Sequence, residues 1–449
     1  MLLLPRNDAK RQSPSSGPGI SQGHSGQGRG YLVSSTVQQR QPGIPQGIIV
    51  ILAGFLPILA IVSMFPAVGA MIGHFAPIDP DAATKVPSMV TAPGLAIAVT
   101  ALFMGLLVDR YGRRKLVLVS TFSYGFIGVI PFFLEDLDWI YASRLLLGFS
   151  EAAILTTVNT LIADYWAEEG RRRWLTLQGM IGPAFSSIMI FFAGTLTAWR
   201  WNGIFLLYLL AIPIAIAMWR YMYEPESDAT VRRNLGMDET GEGTAFPWKT
   251  MFEIAILTLF SSAIYYVFIV NGSVVWEELG VTDPESIGQI TALPTLFILV
   301  GAGLFWLLGR KGFSFRVQVA TFLTLLGAGL ALMGYTSNWQ GMVAGMALQQ
   351  TGAGMSILTL IAWAQSRLPF AHRGRGMGIW TATFFFGQFS SPLAVSALRG
   401  QLGSMQAAFA AMGLVAIAGA VIFFFALGRT RAEDEEQLVG AVAKEGPVP

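Results

Sequence analysis

The sequence has no cysteine, three histidines and only 12% charged residues, about half the charge density usual in soluble domains. Without Cys there can be no disulfide, Cys-ligated zinc, iron–sulfur cluster or thiol catalysis. The chain also lacks HExxH, GxxxxGK[ST] and GxSxG, the signatures of a zinc protease, an ATP-driven pump and a serine hydrolase. No enzyme activity, cofactor or metal is therefore expected, and no nucleic-acid partner. What the 449 residues do contain is 53% hydrophobic side chains, 50 Gly and 22 Pro, with a mean hydropathy of +0.56. Gly and Pro are commoner in membrane helices than in soluble ones.

Residues 1–45 differ from the rest. Ser13 to Gly28 is a Ser/Gly/Pro/Gln tract whose one large apolar residue is Ile20, and this composition predicts a disordered tail. Met1 to Leu4 is too short an apolar run for a cleaved leader. From Gly47 onward, apolar stretches of about 20 residues, long enough to cross a bilayer core, recur twelve times. They cover roughly 47–72, 87–108, 115–134, 139–166, 174–197, 203–223, 250–276, 286–308, 315–336, 339–365, 375–398 and 404–428. Glu224 to Lys249 is the one long break and divides them six and six. The expected fold is an all-α polytopic membrane protein of twelve transmembrane helices in two pseudo-symmetric six-helix bundles. Its expected divisions are an N-tail (1–45), a bundle (46–223), a linker (224–249), a second bundle (250–428) and a C-tail (429–449).

Basic residues orient such a chain. With a cytoplasmic N-terminus, 25 of the 29 Lys and Arg fall on the cytoplasmic side, while Lys85, Arg200 and Arg399 lie outside and Arg144 sits within a span. This bias predicts an even number of spans with both termini cytoplasmic; the expected location is the inner membrane of a bacterium. Traces of an internal repeat accompany it: Thr160-Leu161-Ile162-Ala163 matches Thr359-Leu360-Ile361-Ala362, and Phe185-Ser186-Ser187 matches Phe389-Ser390-Ser391. Duplicated halves are a usual construction of secondary transporters.

After the second span comes GLLVDRYGRRK, Gly105 to Lys115. Gly112 permits a tight turn and the cations suit the cytoplasmic side, but an acid among three arginines suggests pairing across a helix interface. The segment resembles the G-x-x-x-D-R-x-G-R-R loop of the major facilitator superfamily, matching at Gly105, Asp109, Arg110, Gly112, Arg113 and Arg114. That resemblance implies two bundles that rock about a central cavity, with this loop as a cytoplasmic gate. Carried over, Asp109 would face Arg373 and Arg375 at the start of the eleventh span, and Asp164 would join through Arg113.

Within the spans, a charge costs about 2.5–3.5 kcal/mol on insertion scales. Arg144 and Glu151 are the clear cases. Seven residues apart, they share one helix face, and Gly148 between them is expected to leave room for long side chains or a ligand. Burial favours the neutral form of a carboxyl and a nearby guanidinium favours the charged form, so Glu151 is a candidate proton carrier and Arg144 a candidate anion contact. A fixed ion pair, or two groups each bonded to neighbouring helices, is the alternative. The R-x-L-L-G-x-x-E-A pattern, Arg144 to Ala152, resembles the fourth helix of sialin-type organic-anion symporters and Spinster-like lipid transporters. That likeness implies substrate binding and proton coupling by this pair.

Candidate cavity-lining residues are Asn159, Gln178, Tyr265, Tyr266, Asn271, Gln349, Gln350 and Gln388, with interhelical bonding as the alternative for each. Gly179, Gly182 and Pro183 partly resemble the Gly-Pro element of the superfamily's drug antiporters, which inclines the expectation toward export. The expected function is proton-coupled secondary transport, by a monomer in a lipid bilayer, of a small amphipathic molecule or organic anion. Symport of an organic anion is the alternative. A transporter-shaped receptor that binds without moving its ligand is the alternative of another class.

Overall fold

The computed structural model describes residues 42–166, 168–225, 245–369 and 372–444. The tail expected at 1–41 and most of the expected linker, 226–244, lie outside those residues. Every regular element among the described residues is helical. In chain order they are α1 (Ile44–Gly54), α2 (Leu56–Val62), α3 (Ala67–Phe75), α4 (Ala82–Tyr111), α5 (Arg113–Val129), α6 (Leu137–Tyr165), α7 (Glu168–Trp199) and α8 (Ala211–Tyr221). There follow α9 (Trp248–Glu278), α10 (Pro284–Thr295), α11 (Phe297–Arg310), α12 (Phe315–Tyr335), α13 (Trp339–Arg367), α14 (Arg373–Leu402) and α15 (Met405–Lys444). The 3₁₀ turns Ile130–Phe133 and Gly203–Leu210 extend α5 and precede α8.

These elements occupy all twelve expected spans. Two spans are broken, and proline marks the breaks. Pro57 and Pro66 sit beside the interruptions that divide the first span into α1, α2 and α3, and Pro294 precedes the α10–α11 joint. A proline removes a helical N–H and clashes with the preceding turn, so the freed carbonyls must find partners inside the protein. Beside the breaks in the first span, the hydroxyls of Tyr124 and Tyr208 donate to the carbonyls of Leu56 at 2.6 Å and Ala60 at 3.1 Å.

Ten described helical stretches are long and apolar enough to cross a membrane. The remaining two spans, α13 and α14, have 29 and 30 residues but fall outside that set. Gln349, Gln350 and Gln388 interrupt them, and all three are buried against neighbouring helices. These glutamines are thus solvated by protein rather than by lipid. The last helix continues through the expected C-tail as far as Lys444.

The halves meet through α4 against α14 and α7 against α10. At the second crossing Gly194 faces Gly288, whose Cβ would stand 3.0 Å from the Gly194 Cα, and the Ser187 hydroxyl donates to the Ala292 carbonyl at 2.6 Å. At the first, a Cβ on Gly94 would lie 3.1 Å from the Phe385 carbonyl. Phe65 packs against Phe268 with ring centroids 5.0 Å apart. At the rim nearest these contacts, Lys85 donates to Asp79 at 2.8 Å, which holds that carboxyl below the usual carboxylate range.

Candidate functional site

Helix α6 begins under a firm cap: the Asp136 carboxylate accepts from the amides of Asp138 and Trp139, at 3.0 and 2.9 Å. It then carries Arg144 and Glu151 into the protein interior, where they are 1% and 3% exposed. Arg144 is held from α8's side of the bundle. Its Nη2 donates to the Tyr208 hydroxyl, and its guanidinium lies 4.7 Å from the Tyr208 ring centroid and 5.4 Å from that of Phe205. The Tyr208 hydroxyl therefore accepts from Arg144 while donating to Ala60, and so ties α6 to the broken first span.

Glu151 has no such anchor. Its Oε1 is buried without a hydrogen-bond partner, as are Nε and Nη1 of Arg144, and no ion pair joins the two residues among the described contacts. The fixed ion pair weighed from sequence is thus unmade in this conformation, while the other alternative, bonding to a neighbouring helix, holds for Arg144 through Tyr208 and not for Glu151. Leaving a buried carboxyl unpartnered carries a penalty of about 1–3 kcal/mol or more, so the group is poised to change partner or protonation.

The expectation for Gly148 needs correction. A Cβ there would meet the backbone of Pro93 and stand 2.7 Å from the Ala96 Cβ. The space serves close approach of α4, itself bearing Pro87 and Pro93 within the helix, rather than a ligand or long side chains.

Across the interior, α9, α13 and α14 contribute an aromatic and amide cluster. Tyr265 and Tyr266 pack edge to face at 4.8 Å, and Trp380 stacks on Phe384 at 5.3 Å, with Tyr266 5.9 Å from Phe384. Gln349 Nε2 donates to the Tyr265 carbonyl at 3.3 Å. Oε1 of Gln349, Gln350 and Gln388 and Nε1 of Trp380 are buried without partners. Asn271 uses its Nδ2 within α9, donating to Val267 at 3.1 Å, and its Oδ1 is likewise unpartnered. Gln178 is half-buried against Gly54, whereas Asn159 is exposed. Near the Gly-Pro element, Phe185 stacks on Phe55 at 5.0 Å.

At the loop after α4, Gly112 has φ +83°, a backbone region glycine enters without strain. Its missing side chain also makes room for the Glu224 carboxylate, whose oxygens would stand 2.9 and 3.1 Å from a Cβ there. Glu224 accepts from the amides of Arg113 and Arg114, at 2.6 and 2.8 Å, and so caps α5 with a full negative charge. Arg113 Nε pairs with Asp164 at 2.9 Å, and Arg114 Nη2 donates to the Trp219 carbonyl at 2.9 Å. Arg110 lies over Tyr111, and Gly105 faces open space.

Arg375 lies over Phe246 at 4.8 Å and Trp248 at 5.5 Å. The side chains of Asp109 and Arg373 lie outside the described residues, and with them the expected contact between the loop and α14. Sequence reasoning missed Tyr208, Phe205 and Glu224. A polar tip in an aromatic-rich run was the available signal for Tyr208. Glu224 had none, lying among the acids of a linker.

A family model described as Major Facilitator Superfamily matches residues 50–312 and 254–446. The triacylglyceride transporter of Mycobacteroides abscessus is 22% identical over 200 residues, covering 43% of this chain and 38% of that protein. The chain thus spans well under half the length of this curated relative. Among solved structures, the nucleoside transporter NupG superposes with a TM-score of 0.67 at 12% identity, covering 85% of this chain and 98% of that one. The human organic anion transporter MFSD10 superposes with a TM-score of 0.62 at 14% identity, covering 86% and 99%. At such identities the superpositions establish a common fold.

Proposed function

The chain belongs to the major facilitator superfamily, matched from residue 50 to residue 446, and from that premise we propose a proton-coupled transporter that exports a small amphipathic or anionic molecule by alternating access. Secondary transport itself follows from the family, and the proton, the direction and the substrate class are the proposed parts. One observation carries the coupling: a deeply buried carboxyl, Glu151, has no partner although a buried guanidinium sits two turns away on the same helix; the lean to export rests on the partial Gly-Pro element at Gly179, Gly182 and Pro183. A proton is the smallest ligand that relieves an unpartnered carboxylate. In this reading Glu151 takes a proton when its side of the cavity is wetted. Arg144, anchored by one nitrogen to Tyr208, then offers its remaining N–H groups to a substrate anion.

Tyr265, Tyr266, Trp380 and Phe384 supply apolar surface for the body of such a molecule, and the triacylglyceride transporter among its relatives agrees with a lipid-like body. The α7–α10 contacts at Gly194, Gly288, Ser187 and Ala292 support a state closed on the face opposite Arg113 and Arg367. The Gly105–Arg114 loop, Asp164, Arg373 and Arg375 are proposed as the gate on the other face. The proposal includes bundles at 46–223 and 250–428, both termini cytoplasmic in a bacterial inner membrane, and a monomer.

Proteoliposomes with an imposed pH gradient test it. The expected result for Glu151→Gln is retained counterflow exchange with the pH dependence lost. A folded Glu151→Gln protein whose transport keeps the wild-type pH profile would exclude the carrier role. Export predicts that dissipating the gradient abolishes net efflux, whereas organic-anion symport, favoured by the two unpartnered nitrogens of Arg144, predicts uptake running with the protons. Binding without counterflow would identify a receptor.

A further inference from the structure

A second polar site lies away from the central pair, at the start of α12. The pseudo-symmetry makes α12, the third span of its half, the counterpart of α5. Both follow a glycine with positive φ, Gly112 at +83° and Gly312 at +75°, and both begin with arginine in the first turn, Arg113 and Arg316. In the first half the amides opening α5 are met by the Glu224 carboxylate, delivered from the end of α8. In the second half the counterpart of that chain end is Leu427, followed in sequence by Gly428, Arg429, Thr430 and Arg431.

No carboxylate replaces Glu224 there among the described residues. Ser314, at the N-cap of α12, makes no side-chain bond to the first turn. In place of a carboxylate is a cavity of about 440 Å³ whose wall includes Ser314, Phe315, Arg316, Gln318, Arg367 and Leu427.

Gln318 narrows the choice of occupant. It is 4% exposed, its Nε2 donates to the Phe313 carbonyl at 3.0 Å, and its Oε1 is left without a partner. The cavity wall therefore offers an anion the amides of Phe315 and Arg316, those of Val317 and Gln318 being spent on the Ser314 carbonyl, and the Arg316 guanidinium, which lies over the Phe424 ring at 5.2 Å, beside one acceptor that wants a donor. Phosphodiesters that carry a hydroxyl satisfy both. An ethanolamine head also brings a donor, but its ammonium would sit beside Arg316 and Arg367, of which only Arg367 has a described carboxylate, Glu253 at 3.3 Å. Position agrees, because α12 enters its apolar span at Phe315, the level of lipid headgroups, with Phe313 exposed beside it.

We propose that this cavity binds the headgroup of an anionic phospholipid of the phosphatidylglycerol type, its phosphate on Arg316 and the first amides of α12 and its hydroxyl donating to Gln318. The lipid does for α12 what Glu224 does for α5. It is distinct from transported substrate and independent of the roles assigned to Arg144 and Glu151.

The test uses the purified full-length protein in detergent, with thermal unfolding and native mass spectrometry in the presence of dioctanoyl phosphatidylglycerol, dioctanoyl phosphatidylethanolamine, dioctanoyl phosphatidylcholine or inorganic phosphate. Phosphatidylglycerol is expected to raise the melting temperature and to remain bound at one copy. Arg316→Gln is expected to weaken it about tenfold or more, the usual worth of one charge-assisted bond, and Gln318→Leu to narrow the preference over phosphatidylethanolamine. Leu427→Glu, which puts a carboxylate at the cavity wall, should abolish the lipid effect in a protein that elutes and unfolds normally. The proposal fails if phosphatidylglycerol gives no shift or the same shift in wild type and all three variants. It fails equally if inorganic phosphate or phosphatidylethanolamine matches it in wild type, the first result indicating a soluble anion.

Discussion

At the scale of single residues, the tyrosine hydroxyl under Arg144 decides how a buried cation is tolerated. Tyr208 accepts from the guanidinium and donates to the Ala60 carbonyl, so Tyr208→Phe removes two bonds with one oxygen and leaves a carbonyl unmet beside a break in the first span. A loss of about 1–3 kcal/mol is expected, read as a lower midpoint in thermal unfolding. Phe205→Leu, which removes only ring contact with the guanidinium, should cost less. Arg144 and Glu151 were legible from sequence because a charge in an apolar run has few innocent explanations. Tyr208 was not, since a tyrosine in a greasy stretch gives no sign of whose carbonyl its hydroxyl will reach. Gly148 misled for a related reason: a glycine announces space, but only the position of α4 shows that backbone fills it.

Among the elements, the turn between α4 and α5 shows a motif divided between legible and hidden parts. Gly112 stood out because the turn needs a residue that tolerates φ +83°. The cap on α5 did not, because Glu224 is 111 positions away from Arg113 in the chain. Glu224→Gln keeps the shape but halves the acceptors and removes the charge facing the helix N-terminus. It should cost about 0.5–2 kcal/mol, and Glu224→Asp should recover little, since a shorter acid cannot reach both amides. Unfolding in detergent at low ionic strength would measure both. The span ends were placed to within a few residues by hydropathy, yet the division of the first span into three pieces follows from prolines whose effect depends on which neighbours can meet the freed carbonyls.

For the whole molecule, the polytopic all-α fold was legible because alternating cation-rich and cation-poor loops and twelve apolar runs constrain each other. The closed face was not, because glycines such as Gly194 and Gly288 carry no label saying that they meet. Gly288→Leu would force α7 and α10 apart, an overpacking expected to cost about 1–3 kcal/mol in this conformation and to favour the opposite one. The natural absence of cysteine makes the measurement clean. A lone thiol placed by Ser187→Cys should react several-fold faster with a membrane-impermeant maleimide added from outside when Gly288→Leu is also present. Equal rates would mean that the crossing does not hold the face shut.

The two polar spans have a consequence for biogenesis. Helices α13 and α14 are less apolar in their middles than the other ten spans, and Gly329 of α12 and Gly345 of α13 lie backbone against backbone. A nascent α13 emerging from the ribosome therefore needs α12 waiting beside the insertion channel as its solvent. A chain whose α12 has been made unable to receive it should leave that segment on the wrong side of the membrane, with every later loop inverted.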